Sequence, residues 1–143
     1  MMVAQIIQRL QGAPSSPFAL VEGAAQLASL GTGAPNATPA AYVYVTEEAA
    51  SENERMNGPP LQRMEIDVTV LLVVENVSDG QGAAAAADVE AVKSFARAAL
   101  LGWQPPAADD VITIVGGRLV RAKDGLVWWE LMFAAATYLE GTA

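Results

Sequence analysis

"LQRMEIDVTVLLVVEN", residues 61–76, reads as one long β-strand whose two faces differ. Successive side chains of a strand point to opposite sides, so Ile66, Val68, Val70, Leu72 and Val74 share a face that is apolar from end to end. The other face carries Glu65, Asp67 and Thr69 and then turns apolar at Leu71 and Val73. One side therefore belongs to a core throughout, while the other is wet at its start and covered at its end.

Upstream, "AYVYVTE" (41–47) alternates tyrosine with valine and is a second strand. Between the two lies "EEAASENERMNGPP" (47–60), too polar for a core and too long for a tight hairpin turn. It reads either as a solvated, mobile loop or as an arm that orders against a neighbouring subunit, presenting Glu47, Glu48, Glu52, Glu54, Arg55 and Met56. Closer to the amino terminus, Val3, Ile6, Ile7 and Leu10 recur at helical spacing until Gly12 and Pro14 end the pattern. A short strand around Phe18 to Val21, a short helix from Ala24 to Leu30 and a loop rich in Gly, Pro and Thr follow.

Downstream, a turn at Ser78 to Gly82 leads into "AAAAADVEAVKSFARAALLGW" (83–103). Val89, Val92, Phe95, Ala96 and Ala99 form a stripe at helical spacing, acids lie early and bases late, and Gly102 stands where a stop belongs. After the linker "QPPAADD" comes a hairpin: a strand over about 111–121 bulged at Gly116 and Gly117, a turn at Asp124-Gly125, and a strand over 126–139. In that last strand Val127, Trp129, Leu131, Phe133 and Ala135 make one apolar face, and Trp128 and Met132 lie on the other.

The order of elements predicts an α+β fold in a single domain over residues 1–143: a mainly antiparallel sheet of four or five strands with two main helices packed on one face. Such a sheet leaves its second face open. Trp128, Met132, Leu71 and Val73 are then expected at a contact with a second subunit, and a composition 52% hydrophobic and only 17% charged favours self-association.

The inventory of side chains excludes much chemistry. With no cysteine and no histidine there can be no disulfide, thiolate metal site, ordinary zinc site or histidine-based triad. Eight basic residues stand singly among sixteen acidic ones, giving a net charge of −8, which disfavours nucleic acid and anionic membranes as specific ligands. No apolar run is long enough to span a bilayer, and Gln5, Gln8 and Arg9 interrupt what a signal peptide would need, so a soluble product of the cytoplasm is expected. Asp109-Asp110 and Glu47-Glu48 are adjacent carboxylates in loops, read as solvated charges rather than as an acid/base pair. "GTGAP" lacks the remainder of a dinucleotide fingerprint. Glu65, Asp67 and Thr69 read as a solvated strand face or, repeated around a symmetric ring, as a negatively charged surface.

The layout, with "LLGWQPP" (100–106) and the hairpin "GGRLVR…DGLVWWE" (116–130) as its strongest carriers, resembles the tail terminator proteins of long-tailed bacteriophages over nearly the whole chain. The resemblance implies a structural virion protein, neither an enzyme nor a cofactor binder. It implies a homo-oligomer, a hexameric ring, that caps the head-proximal end of the tail tube, stops tube polymerisation and joins the tail to the head-tail connector. Made in the host cytoplasm, it would reside in the virion. On this reading Trp128 and Met132 face a neighbouring subunit, the 47–60 segment reaches a neighbour or the tube protein, and Glu65 and Asp67 face the lumen. Another connector or tail-tube ring protein is the nearest alternative, and a small-molecule binding module using the open face is the next.

Overall fold

A computed structural model describes residues 1–75 and 83–142 of the chain. The elements follow in the expected order: α1 (Met2–Gly12), β1 (Leu20–Gly23), α2 (Ala24–Leu30), β2 (Ala40–Ala50), β3 (Leu61–Glu75), α3 (Ala83–Leu100), β4 (Thr113–Lys123) and β5 (Leu126–Glu140). The turn expected at Ser78 to Gly82 lies outside the described residues. Two boundaries differ from expectation. β1 starts at Leu20 rather than Phe18, and β2 runs on to Ala50, taking Glu47 and Glu48 out of the loop.

One five-stranded sheet has the order β1-β2-β3-β5-β4. The β2–β3, β3–β5 and β5–β4 pairs are antiparallel, but β1 runs parallel to β2, so the sheet is mixed. A parallel neighbour requires a crossover connection that passes over a face of the sheet. Here the crossover is α2 with the loop that follows it.

β3 is central and sets both layers of packing. Its continuously apolar side, from Ile66 to Val74, joins Leu131, Phe133 and Ala135 of β5 in one buried cluster. Ile6 and Leu10 of α1 and Val92, Ala96 and Leu100 of α3 belong to the same cluster. On its reverse side, Leu71 and Val73 form a second cluster with Ala40, Tyr42 and Trp128, and Leu27 and Leu30 of α2 pack against it. Each tryptophan of the pair also lies beneath a cation: the Lys93 ammonium is 3.8 Å from the Trp129 ring centroid, and the Arg121 guanidinium is 4.6 Å from that of Trp128.

This second cluster corrects the expectation that Leu71, Val73 and Trp128 need another subunit for cover. Val73 is fully buried, Leu71 is 6% exposed and Trp128 is 7% exposed within the single chain. The reason is the crossover, which puts a short amphipathic helix on the face that the two longer helices leave bare. Met132 is half-buried and lies beyond that cover.

Two turns hold the layout. Asp124 and Gly125 both take positive φ, 56° and 78°, which is the turn that matches the twist of a tight β4–β5 hairpin. After α3, Gly102 adopts φ 82°. Its N–H donates to the Ile112 carbonyl, and the Ile112 N–H donates to that of Trp103, both at 2.8 Å. The "GWQPP" segment is thereby closed into a loop pinned at its two ends.

Burial of Trp128 within the chain makes it a stability residue. Trp128→Ala is expected to lower the unfolding free energy by about 3–5 kcal/mol, measured by urea denaturation of dilute protein. A loss below about 1 kcal/mol accompanied by a drop in oligomer mass would instead return Trp128 to a subunit contact.

Candidate assembly surfaces

The lower half of the reverse face is not covered by α2. Cross-strand register brings together on it Tyr44 and Glu47 of β2, Thr69, Asp67 and Glu65 of β3, and Met132 and Ala134 of β5. The boundary between covered and open halves is marked by Thr69, whose buried hydroxyl hydrogen-bonds that of Thr46 at the bulge between Val45 and Glu47.

The acids on this face differ in their surroundings. The Arg63 Nε donates to Glu65 at 2.8 Å, so Glu65 is exposed but paired. Asp67 is half-buried and stands directly opposite Glu47, a like-charge pair across two strands that is unfavourable unless water or a cation intervenes. Glu130 receives the Arg118 guanidinium at 3.1 Å. Next to it, burial first and the Glu130 charge second push the Tyr44 phenol up, with Arg118 opposing.

The 47–60 segment is neither a free loop nor wholly a loop. Glu47 and Glu48 lie on β2, with Glu48 opposite Ile66. At the tip, Asn53 Oδ1 accepts from the N–H groups of Arg55 and Leu61 at 3.1 and 2.9 Å, and its amide donates to the Arg55 carbonyl at 3.1 Å. Arg55 donates to the Pro59 carbonyl and forms an ion pair with Glu140 at the end of β5. Backbone groups that a strand ladder no longer satisfies are thus satisfied by side chains. Glu52 and Glu54 are exposed, and Met56, 98% exposed, is the apolar point of the arm.

The carboxylates of the 104–110 linker are likewise engaged. Asp109 Oδ2 accepts from the Tyr138 N–H at 2.7 Å and the Thr137 hydroxyl at 3.0 Å, while the Asp109 N–H donates to the Ala136 carbonyl. The linker so continues the edge of β5 where β4 has not yet begun. Asp110 accepts from the Val111 N–H and from Arg63. A groove of about 500 Å³ beside α1 is lined by Gln5, Gln8, Arg9 and Trp103, among others. Gln5 there accepts from the Ala107 N–H, and Arg9 donates to the Ala99 carbonyl while stacking 4.6 Å from the Trp103 ring. Its polar groups join α1 to α3 and to the linker.

Sequence reasoning missed the outer edge of the sheet. β4 has β5 on one side and no strand on the other among the described residues. Leu119 and Val120 are 53% and 47% exposed, and Val115 is 59% exposed. The sequence places these residues on a bulged strand without assigning them a face. The only available signal was that apolar residues around Gly116-Gly117 fall on both faces of a bulged strand, one of which has no cover.

Hydrogen bonds from the Tyr138 backbone first, and from Thr137, hold the Asp109 carboxyl below the usual carboxylate range. A depressed folded-state value contributes stability above the unfolded value, about 3.9, and loses it as pH falls through the folded one. Asp109→Asn is therefore expected to lower Tm at pH 7 and to differ less from wild type at pH 3. A gap that stays constant across that range would show that the charge of Asp109 is not what the variant removes.

A family profile described as "Phage tail terminator protein" matches residues 1–142. No curated protein sequence matches significantly. Among solved structures, a chain of the "Virion of native gene transfer agent (GTA) particle" superposes with a TM-score of 0.59 at 15% identity, covering 98% of this chain and 95% of that one. At that identity the match speaks to the fold, which the two share from end to end. The profile match over essentially the whole sequence does more: the chain belongs to the phage tail terminator protein family.

Proposed function

We propose that the chain forms a hexameric ring that seats on the head-proximal end of the tail tube, halts addition of further tube subunits and offers its opposite surface to the head-tail connector. The observation that carries this reading is the family match over residues 1–142. The architecture supports it: the polar groups of the 47–60 arm and the 104–110 linker are occupied in holding backbone, and apolar side chains sit exposed along β4 and at the arm tip. The protein works by shape, without turnover and without a cofactor, as a part of the assembled virion.

Orientation follows from charge. The open half of the reverse face bears Glu47, Asp67 and Glu65, the last paired with Arg63, and a surface of that sign repels phosphates. Turned toward the lumen, it lets DNA pass without sticking. The arm, with Met56 at its point and Glu52 and Glu54 beside it, then projects from one rim of the ring toward the tube or a neighbouring subunit. Met132, half-buried at the edge of the open face, belongs to the same lumen-side surface rather than to a buried anchor.

Adding the purified protein to polymerising cognate tube protein is expected to give shorter tubes with a density at one end by negative-stain microscopy. Growth of the protein alone into long tubes would make it a tube component instead. For the lumen, Glu65→Gln combined with Asp67→Asn should leave ring mass unchanged and slow DNA ejection from reconstituted particles. Ejection at the wild-type rate would remove the two acids from the channel.

A further inference from the structure

The sheet has two free edges, and they complement each other. On one side, β1 pairs only with Ala40–Val43 of β2, so Tyr44–Ala50 has no strand neighbour on that side among the described residues. It forms a notch below β1. On the other side, the whole of the 11-residue β4 is an edge.

Their side chains match face by face. Cross-strand register puts Arg118 and Arg121 on the reverse face, opposite Glu130 and Trp128 of β5, and Glu47 is on that same face of β2. On the helix-covered face, β4 exposes Leu119 and β2 exposes Val45, 53% and 39% accessible. Basic thus meets acidic on one side of the sheet and apolar meets apolar on the other. Among the described residues, Lys123, Arg121, Glu47 and Glu48 form no ion pair.

We infer that β4 of one copy adds to the free half of β2 of the next, so that the sheets join head to tail into a continuous band. The inference rests on the ring reading and specifies its contact. Strand directions agree with it: β2 and β5 run one way and β3 and β4 the other, so a second copy keeping its helices on the same side presents β2 antiparallel to β4. A stagger that sets Arg121 beside Glu47 keeps β4 clear of β1, sets Ala122 beside Val45 with Thr46 the extra residue of the β2 bulge, and leaves Leu119 diagonal to Val45 on the same face. Closing a sheet into a ring demands such a stagger. The contact is heterologous, and a heterologous contact whose rotation closes makes a ring. An edge strand this long and apolar otherwise invites uncontrolled pairing.

Because the chain has no cysteine of its own, thiol cross-linking reads the contact directly. Val45→Cys, Leu119→Cys and the double variant are treated with a short flexible bismaleimide, alone and on cognate tube protein, while light scattering reports the mass of untreated samples. Neither single variant is expected to cross-link, and the double variant should give a ladder of oligomers ending in a closed species. A dimer from Leu119→Cys alone would show β4 pairing with β4, and a cross-link from it to the tube protein would assign the edge to the tube. Either outcome overturns the inference. Rings by mass without a ladder would overturn it while leaving the ring intact, whereas monomers under both conditions would overturn both.

Discussion

The second half of β3 has to be kept dry on both sides, and most of the molecule follows from that requirement. Val70, Leu72 and Val74 face one way and Leu71 and Val73 the other, all at most 6% exposed. Each such side chain is worth roughly 1.5–3 kcal/mol when fully buried, so leaving either side open would forfeit much of a small domain's net stability. The longer helices cover the first side, and the parallel β1–α2–β2 crossover, with Trp128, covers the second. The first half of the same strand needs cover on one side only. Thr69 sits where the change occurs, its hydroxyl satisfied by Thr46 because water does not reach it.

That division separates stability from assembly. The apolar cover ends at Tyr42 and Trp128, and below it on the reverse face lie carboxylates, threonine, tyrosine and alanine, with Met132 and the arginines Arg63 and Arg118 that pair with Glu65 and Glu130. The arm extends the same strands further out, held by Asn53, Arg55 and the end of β5 rather than by a core. On the proposed reading, substitutions there would act on contacts with other molecules, while substitutions above the Thr46–Thr69 bond would act on folding. A chain whose role is to fit between other parts of a tail benefits from this arrangement, since its contact surfaces can vary without loosening the core.

The order of elements was legible because it depends on local periodicity: alternation in 61–75, helical spacing in α1 and α3, Asp124-Gly125 at the hairpin. The Trp128–Trp129 pair posed the right question, since one of the two had to leave the main core. Its answer was not legible. What covers Trp128 is set by β1 pairing parallel rather than antiparallel with β2, a choice between distant segments that leaves no mark on the periodicity of either. The arm was misread at its root for a related reason. Glu47 and Glu48 look like loop residues by composition, yet a strand open to water on one side and at its edge accepts them. Leu119 and Val120, placed on a strand but on no face, are apolar by type and exposed by position.

The distribution of charge bears on how the proposed assembly would form. Each copy carries a net charge of −8, so two copies repel on approach, though only weakly beyond the screening length of about 8–10 Å in physiological salt. Within that length the pattern reverses. In the proposed contact the basic residues of β4 would meet the acids of β2 only when the strands are already adjacent, and the opposed Glu47–Asp67 pair would gain a cation at the same step. Repulsion at long range and attraction confined to one edge keep loose aggregation down while favouring the single relative placement in which the sheets run on. Both signs lie on the same face of the sheet, and Glu65, away from the joined edge, would stay exposed on it.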